Sequence, residues 1–160
     1  MTIALGDYAA PLSAMVLALK NAARLDLARA FGRLLAHRAA ARLPPGAMIV
    51  PVPLAHDRLR ERGFNQALEI ARPVAAAGPW PLHRDLVLRV DRARPQQLRS
   101  AAARRRNVAD AFLPRCRVDG ATIAIVDDVM TTGSTIDALA ATLKSHGATR
   151  VLALVVARAG

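Results

Sequence analysis

A chain of 160 residues, a little over half of them apolar, is long enough to bury a core of its own, which excludes a disordered or low-complexity polymer. Twenty-three basic against twelve acidic side chains give a formal charge of +11, a field that attracts nucleic acid, anionic surfaces or phosphorylated small molecules and equally keeps a surface solvated. The single cysteine, Cys116, excludes an intramolecular disulfide and a cysteine-built zinc cluster, and the scarcity of aromatic residues argues against the stacking platforms of single-strand binders.

The apolar N-terminus has no basic residue before Lys20 and contains Asp7 and Pro11. It reads as neither a signal peptide nor a membrane span, so the chain is expected to be cytoplasmic, with no membrane partner. Pro11 suits the first turn of a helix in which Leu12, Met15, Val16 and Leu19 share a face. A second amphipathic helix is predicted over Leu25–Ala41, with Leu27, Phe31, Leu34 and Leu35 facing inward; Pro44, Pro45 and Gly46 end it. Ala47–Val52 reads as a buried strand, and Pro53–Gly63 as a polar loop carrying Arg58, Arg60 and Arg62. A helix starting near Asn65 is disturbed at Pro73, and Leu86–Val90 is the next strand.

Asp91–Ser100 has no apolar periodicity and holds Arg92, Arg94, Pro95 and Gln97; it reads as a mobile loop, followed by a short helix capped by Ser100. After a turn at Val118–Gly120 come a strand over Thr122–Val126, a loop over Asp127–Gly133 and a helix over Ser134–His146. Ile136, Leu139, Ala140 and Leu143 form that helix's inner face, Gly147 stops it, and Arg150–Ala157 is a final strand. Strand, loop, helix and strand make a βαβ unit. The expectation is an α/β fold with a parallel sheet and ligands at the carboxyl ends of its strands. Without a repeat or a separating linker, residues 1–160 form one domain, with a helical N-terminal part over 1–43 and an α/β core over 44–160.

The chemistry concentrates after the strand at Thr122–Val126. Asp127 and Asp128 lie where an apolar strand leaves the core, and Met130, Thr131, Thr132, Gly133, Ser134 and Thr135 follow and open a helix. A helix N-terminus offers unpaired N–H groups and the positive end of a dipole, so it holds a phosphate without a lysine. Gly133 allows close backbone approach and the hydroxyls add donors. Carboxylates one step earlier are placed to accept from vicinal ribose hydroxyls or to help hold Mg²⁺. A Thr-Gly-Ser-Thr segment alone would read as a simple cap. In one unbroken register with the strand and the acidic pair, it describes a pocket for a ribose 5-phosphate, and neither a Walker lysine nor a G-x-G-x-x-G competes with it.

Thr122–Thr135 resembles the 5-phosphoribosyl-1-pyrophosphate (PRPP) motif of type I phosphoribosyltransferases, and the chain is more narrowly similar to the ComF-like competence-protein family. The narrower resemblance rests on Ile49–Pro53 (IVPVP), Arg58–Gln66 (RLRERGFNQ), Gln97–Leu98 and Arg105–Phe112 (RRNVADAF), with a weaker match over Tyr8–Lys20. It implies a type I phosphoribosyltransferase sheet flanked by helices, under an N-terminal helical hood. It assigns the ribose to Asp127 and Asp128, the 5-phosphate to Met130–Thr135, and pyrophosphate to the loop with Pro53, Leu54 and Arg58. Arg92, Arg94 and Gln97 would belong to a flexible loop that closes over substrate, and Mg²⁺ would be held indirectly through the acidic pair. Many ComF-like proteins carry a cysteine-rich zinc module; it has no counterpart in these residues and its function is not carried over.

Two functions follow. One is an enzyme that transfers the phosphoribosyl group from PRPP to an unidentified nitrogen acceptor and releases pyrophosphate. The other is a non-catalytic PRPP-binding or scaffold protein in DNA uptake, whose partners would be single-stranded DNA or a competence helicase-type protein; Arg104–Arg106 either reach the pyrophosphate, face such a partner or form a solvated helix face. A homodimer fits either. No aromatic side chain is visibly placed to stack on a base, so the sequence names no acceptor. Lys20 either approaches the site or just ends its helix. The four histidines show no metal-ligand spacing, and Cys116 reads as an ordinary buried or half-buried thiol.

Overall fold

The computed structural model of the chain describes residues 1–90 and 111–159. The expected substrate loop with Arg92, Arg94 and Gln97, the short helix from Ser100 and the triplet Arg104–Arg106 lie outside the described residues. The described elements are β1 (Thr2–Asp7), α1 (Leu12–Ala22), α2 (Leu25–Ala39), β2 (Met48–Pro51), α3 (His56–Arg62), α4 (Gln66–Ala76), β3 (Val87–Arg89), β4 (Phe112–Pro114), β5 (Thr122–Met130), α5 (Ser134–Ser145) and β6 (Arg150–Arg158).

The core is a parallel sheet in the order β1-β6-β5-β2, with Ile125 opposite both Val50 and Ala153. Beyond β2, Leu82 adds one more parallel bridge to Ile49, so the edge of β2 is partly covered. Strands β3 and β4 form a separate antiparallel pair. Both sheet faces are buried, which is why these strands are nearly continuous apolar runs. Alternation decides the face. Ala124, Val126, Leu152, Leu154 and Val156 meet α1, α2 and α4 on one side. Ile123, Ile125, Ala153 and Val155 meet α5 and the β3–β4 pair on the other.

Helix α2 lies close against α4 because Gly32 is buried at their crossing: a Cβ there would collide with Pro73 Cγ and the Ile70 carbonyl. The Pro73 ring fills that space, and α4 runs on to Ala76 where the sequence suggested a disturbance.

Several expectations need correction. The N-terminal part is not wholly helical: Thr2–Asp7 forms β1, recognisable only from its distant partner β6, since its residues merge into the apolar run of α1. Pro53–Gly63 is not a continuous loop. Residues His56–Arg62 form α3, which buries none of its residues and so leaves no apolar period to read; Gly63, at φ 81°, ends it. Strand β5 extends to Met130, so the acidic pair sits in the strand and not in a loop. Leu34 is exposed, its place on the inner face of α2 being taken by Ala28, Phe31, Leu35 and Ala39. Cys116 is exposed.

Candidate functional site

Strands β2 and β5 are neighbours, yet β2 leads to α4 on one face of the sheet and β5 leads to α5 on the other. Their chains part at the carboxyl ends of the strands, the place where open parallel sheets form ligand crevices. The period of two along β5 then distributes the acidic pair. Asp127 continues the row of Ile123 and Ile125 toward α5, and Asp128 continues the row of Ala124 and Val126 toward α1.

Asp128 is buried, and its Oδ2 is 2.7 Å from the Lys20 ammonium of α1. Among the described residues no hydrogen-bond donor besides that ammonium meets this oxygen. Its Oδ1 accepts from the Val129 N–H at 2.8 Å. The half-buried Asp127 accepts from the Asp128 N–H at 2.9 Å. Burial, and then the Asp128 carboxylate beside it, push the Asp127 carboxyl up to about 7, against the opposing charge of Lys20.

Asp127 also lines a concavity of about 40 Å³ with Met130, Thr131, Gly133, Ser134 and Thr135. Gly133, at φ 79°, turns the chain from β5 into α5 through a left-handed conformation that costs an L side chain about 1 kcal/mol or more. The first-turn N–H groups of α5 open toward this space without intrahelical acceptors. Thr132 is not part of the lining; its Oγ1 donates to Ser134 Oγ at 3.1 Å and accepts from the Ser134 N–H at 3.4 Å. The expected phosphate-holding residues are therefore brought together around Asp127, with Thr132 turned to brace the loop.

On the β2 side, Asn65 caps α4, accepting from the Ala67 and Leu68 N–H groups at 3.0 and 3.4 Å. Its Nδ2 donates to the Val52 carbonyl at 3.0 Å, which ties the end of β2 to the start of α4 and fixes the short loop between β2 and α3. Pro53 and Leu54 of that loop line a groove of about 500 Å³ with Phe64, Arg84 and Arg89. Arg58 does not line that groove. It lines a separate pocket of about 330 Å³ between α1 and α3, with Lys20, Asn21, Glu61, Arg62 and Phe64. The helix keeps Arg58 and Arg62 on this pocket, where Arg58 pairs with Glu61 at 2.9 Å and Arg62 donates to the buried Gln66 Oε1 at 2.6 Å, whereas Arg60 is exposed and does not line it. Among the described residues no three His, Cys, Asp or Glu side chains converge as a metal cage. No helix among them is long and apolar enough to cross a membrane.

Residues 32–160 match the phosphoribosyl transferase domain family. The chain belongs to that family. This phosphoribosyl transferase domain is 37% identical over 154 residues to the DNA utilization protein YhgH of Salmonella typhi, covering 93% of this chain and 68% of that protein. It is 33% identical over 165 residues to competence protein F of Haemophilus influenzae, covering 98% and 72%. The resemblance to ComF-like proteins is thus borne out. Among solved structures, the hypoxanthine phosphoribosyl transferase of Trypanosoma cruzi superposes with a TM-score of 0.51 over 82% of this chain and 64% of that one, at 13% identity. That likeness is one of fold: a type I phosphoribosyltransferase sheet flanked by helices.

Lys20 is the site residue that sequence reasoning left undecided. Its one signal was position, a lone lysine ending an otherwise apolar helix. Only the packing of α1 on the sheet shows that the ammonium reaches Asp128.

Proposed function

We propose that the chain binds PRPP at the carboxyl ends of β2 and β5 and transfers its phosphoribosyl group to a nitrogen acceptor in the cytoplasm, releasing pyrophosphate. The observation that carries this reading is the acidic end of β5 running into the Gly133-started N-terminus of α5, with Asp127, Thr131, Gly133, Ser134 and Thr135 lining one concavity. The 5-phosphate would sit on the first turn of α5, among the hydroxyls of Thr131, Ser134 and Thr135. The ribose would lie over the end of β5, each of its vicinal hydroxyls donating to one carboxylate.

Pyrophosphate would leave past the loop with Pro53 and Leu54 toward the pocket between α1 and α3, where Arg58 supplies charge. The donor set fits Mg²⁺ of the kind that keeps its waters. Two carboxylates, with no third carboxylate, histidine or cysteine beside them among the described residues, do not cage the ion, but they suit one carried by the substrate's own oxygens and steadied by Asp127. When bound, Mg²⁺ would neutralise charge on the leaving diphosphate. The protein's share is positioning a sugar whose C1 becomes cationic as the bond breaks, and exclusion of water.

The test is Mg²⁺-dependent pyrophosphate release from PRPP with a panel of nucleobases and other nitrogen acceptors. Turnover with any acceptor establishes the transferase. Tight PRPP binding without turnover across the panel gives the second reading, a PRPP-binding module in DNA uptake, which the names of the YhgH and competence protein F relatives favour. That reading adds a prediction of its own: weak, sequence-indifferent single-stranded DNA binding that falls steeply with salt, as released counterions require.

A further inference from the structure

The pocket between α1 and α3 adjoins the acidic pair through a single side chain. Lys20 lines it, yet its Nζ is 2.7 Å from Asp128 Oδ2, and the lysine side chain is 22% exposed against 5% for the aspartate. The other two cations of the pocket are held elsewhere, Arg58 on Glu61 and Arg62 on Gln66. Among the described residues, three cations against one anion leave a local surplus of two positive charges, provided Lys20 is counted with the pocket and not with Asp128. One ammonium therefore serves two places, and which place it serves depends on what Asp128 is bonded to.

A buried carboxylate needs a partner, and in the free protein Lys20 is that partner. If ribose hydroxyls donate to Asp128, the carboxylate is satisfied without the cation. A lysine already about one-fifth exposed can then swing on its flexible stem into the pocket at little desolvation cost. We propose that Lys20 is a specificity-determining residue that exchanges partners on binding: sugar hydroxyls displace it from Asp128, and it turns to meet the anionic group that PRPP carries at C1 and ribose 5-phosphate lacks. This rests on the PRPP reading above. Its consequence is coupling: filling the ribose position frees the charge that holds the diphosphate, so the site discriminates the activated sugar from the spent one. Breaking the Lys20–Asp128 pair lowers the affinity for any sugar phosphate, and only a ligand with the C1 diphosphate recovers that loss.

The experiment measures dissociation constants for PRPP and for ribose 5-phosphate, both with Mg²⁺, by titration calorimetry on the wild-type chain and on Lys20→Gln, Lys20→Ala and Lys20→Arg. Circular dichroism first establishes that each variant is folded. In Lys20→Gln and Lys20→Ala there is no pair to break, so ribose 5-phosphate should bind as well as to wild type or more tightly. The preference for PRPP over ribose 5-phosphate should fall about tenfold or more, the worth of one charge-assisted hydrogen bond. Lys20→Arg should restore most of the preference for PRPP. Equal weakening of both ligands makes Lys20 a structural support of the site and overturns the exchange, as does an unchanged PRPP-to-ribose-5-phosphate ratio. Failure of the wild-type chain to bind either ligand is a different result, and it overturns the PRPP reading itself. If Lys20→Gln and Lys20→Ala do not fold, Lys20→Arg decides: the exchange predicts a retained preference for PRPP, and loss of that preference in a folded charge-conserving variant contradicts it.

Discussion

Replacing Asp127 by Asn removes one carboxylate from a crevice that already holds another, while keeping an oxygen to accept from the Asp128 N–H. The Asp127 carboxyl is raised from 3.8 to about 7, first by burial and then by Asp128. A raised carboxyl favours the folded state in its protonated form, so its contribution is fully present below pH ~4 and is lost as pH climbs through ~7. At about 1.4 kcal/mol for each tenfold change in proton affinity, this is worth on the order of a few kcal/mol, less whatever the partial exposure of the side chain screens.

Urea denaturation of wild type and Asp127→Asn at each pH from 4 to 9 isolates the acidic pair with Lys20, because titrations away from it cancel in the difference. The two proteins should be nearly equally stable at pH 4. The variant should gain steadily to pH 7 and then hold a constant advantage on the order of a few kcal/mol. The same variant should lose the response to PRPP, a stability gain bought with the ligand site. A difference that stays flat from pH 4 to 9, or a wild type more stable than the variant at pH 8, would refute the assignment of a strained acidic pair.

Gly32→Ala should destabilise the chain by about 3 kcal/mol, since the new methyl meets the Pro73 ring and the Ile70 carbonyl at the α2–α4 crossing; thermal denaturation measures it. Asn65→Ala removes the α4 cap and the bond to the Val52 carbonyl together, an expected loss of about 1–2 kcal/mol by urea titration. It should also weaken PRPP binding by freeing the loop between β2 and α3, whereas Gly32→Ala, away from the crevice, should leave the affinity of the folded fraction unchanged.

How legible the protein was depends on whether each feature is local in sequence. The strand, acidic pair and helix start of Thr122–Ser145 read correctly because their chemistry is contiguous and their periods differ, two residues along β5 and 3.6 along α5. The one error there, a strand ended at Val126, came from taking polarity for a loop; parallel pairing with β6 carries the backbone on to Met130 whatever the side chains are. Features made by distant partners were hidden. β1 is defined by hydrogen bonds to β6 at the other end of the chain, and the Lys20–Asp128 contact by the packing of α1 on the sheet. α3 was hidden for another reason: with no buried residue, its arginines and glutamate carry no period, and charged residues three apart read equally well as a solvated loop. That misreading mattered, because it placed Arg58 with Pro53 and Leu54 when the helix turns it into the pocket beside Lys20.

The most direct test of the PRPP site is a calorimetric titration of PRPP with Mg²⁺ into the wild-type chain and into the double variant Asp127→Asn, Asp128→Asn. The account predicts saturable binding of one PRPP per chain, accompanied by a rise in melting temperature from ligand bound only to the folded state. It also predicts loss of both in a double variant that remains folded without ligand. A folded double variant that binds PRPP as tightly as wild type would contradict the assignment of the ribose to the acidic end of β5.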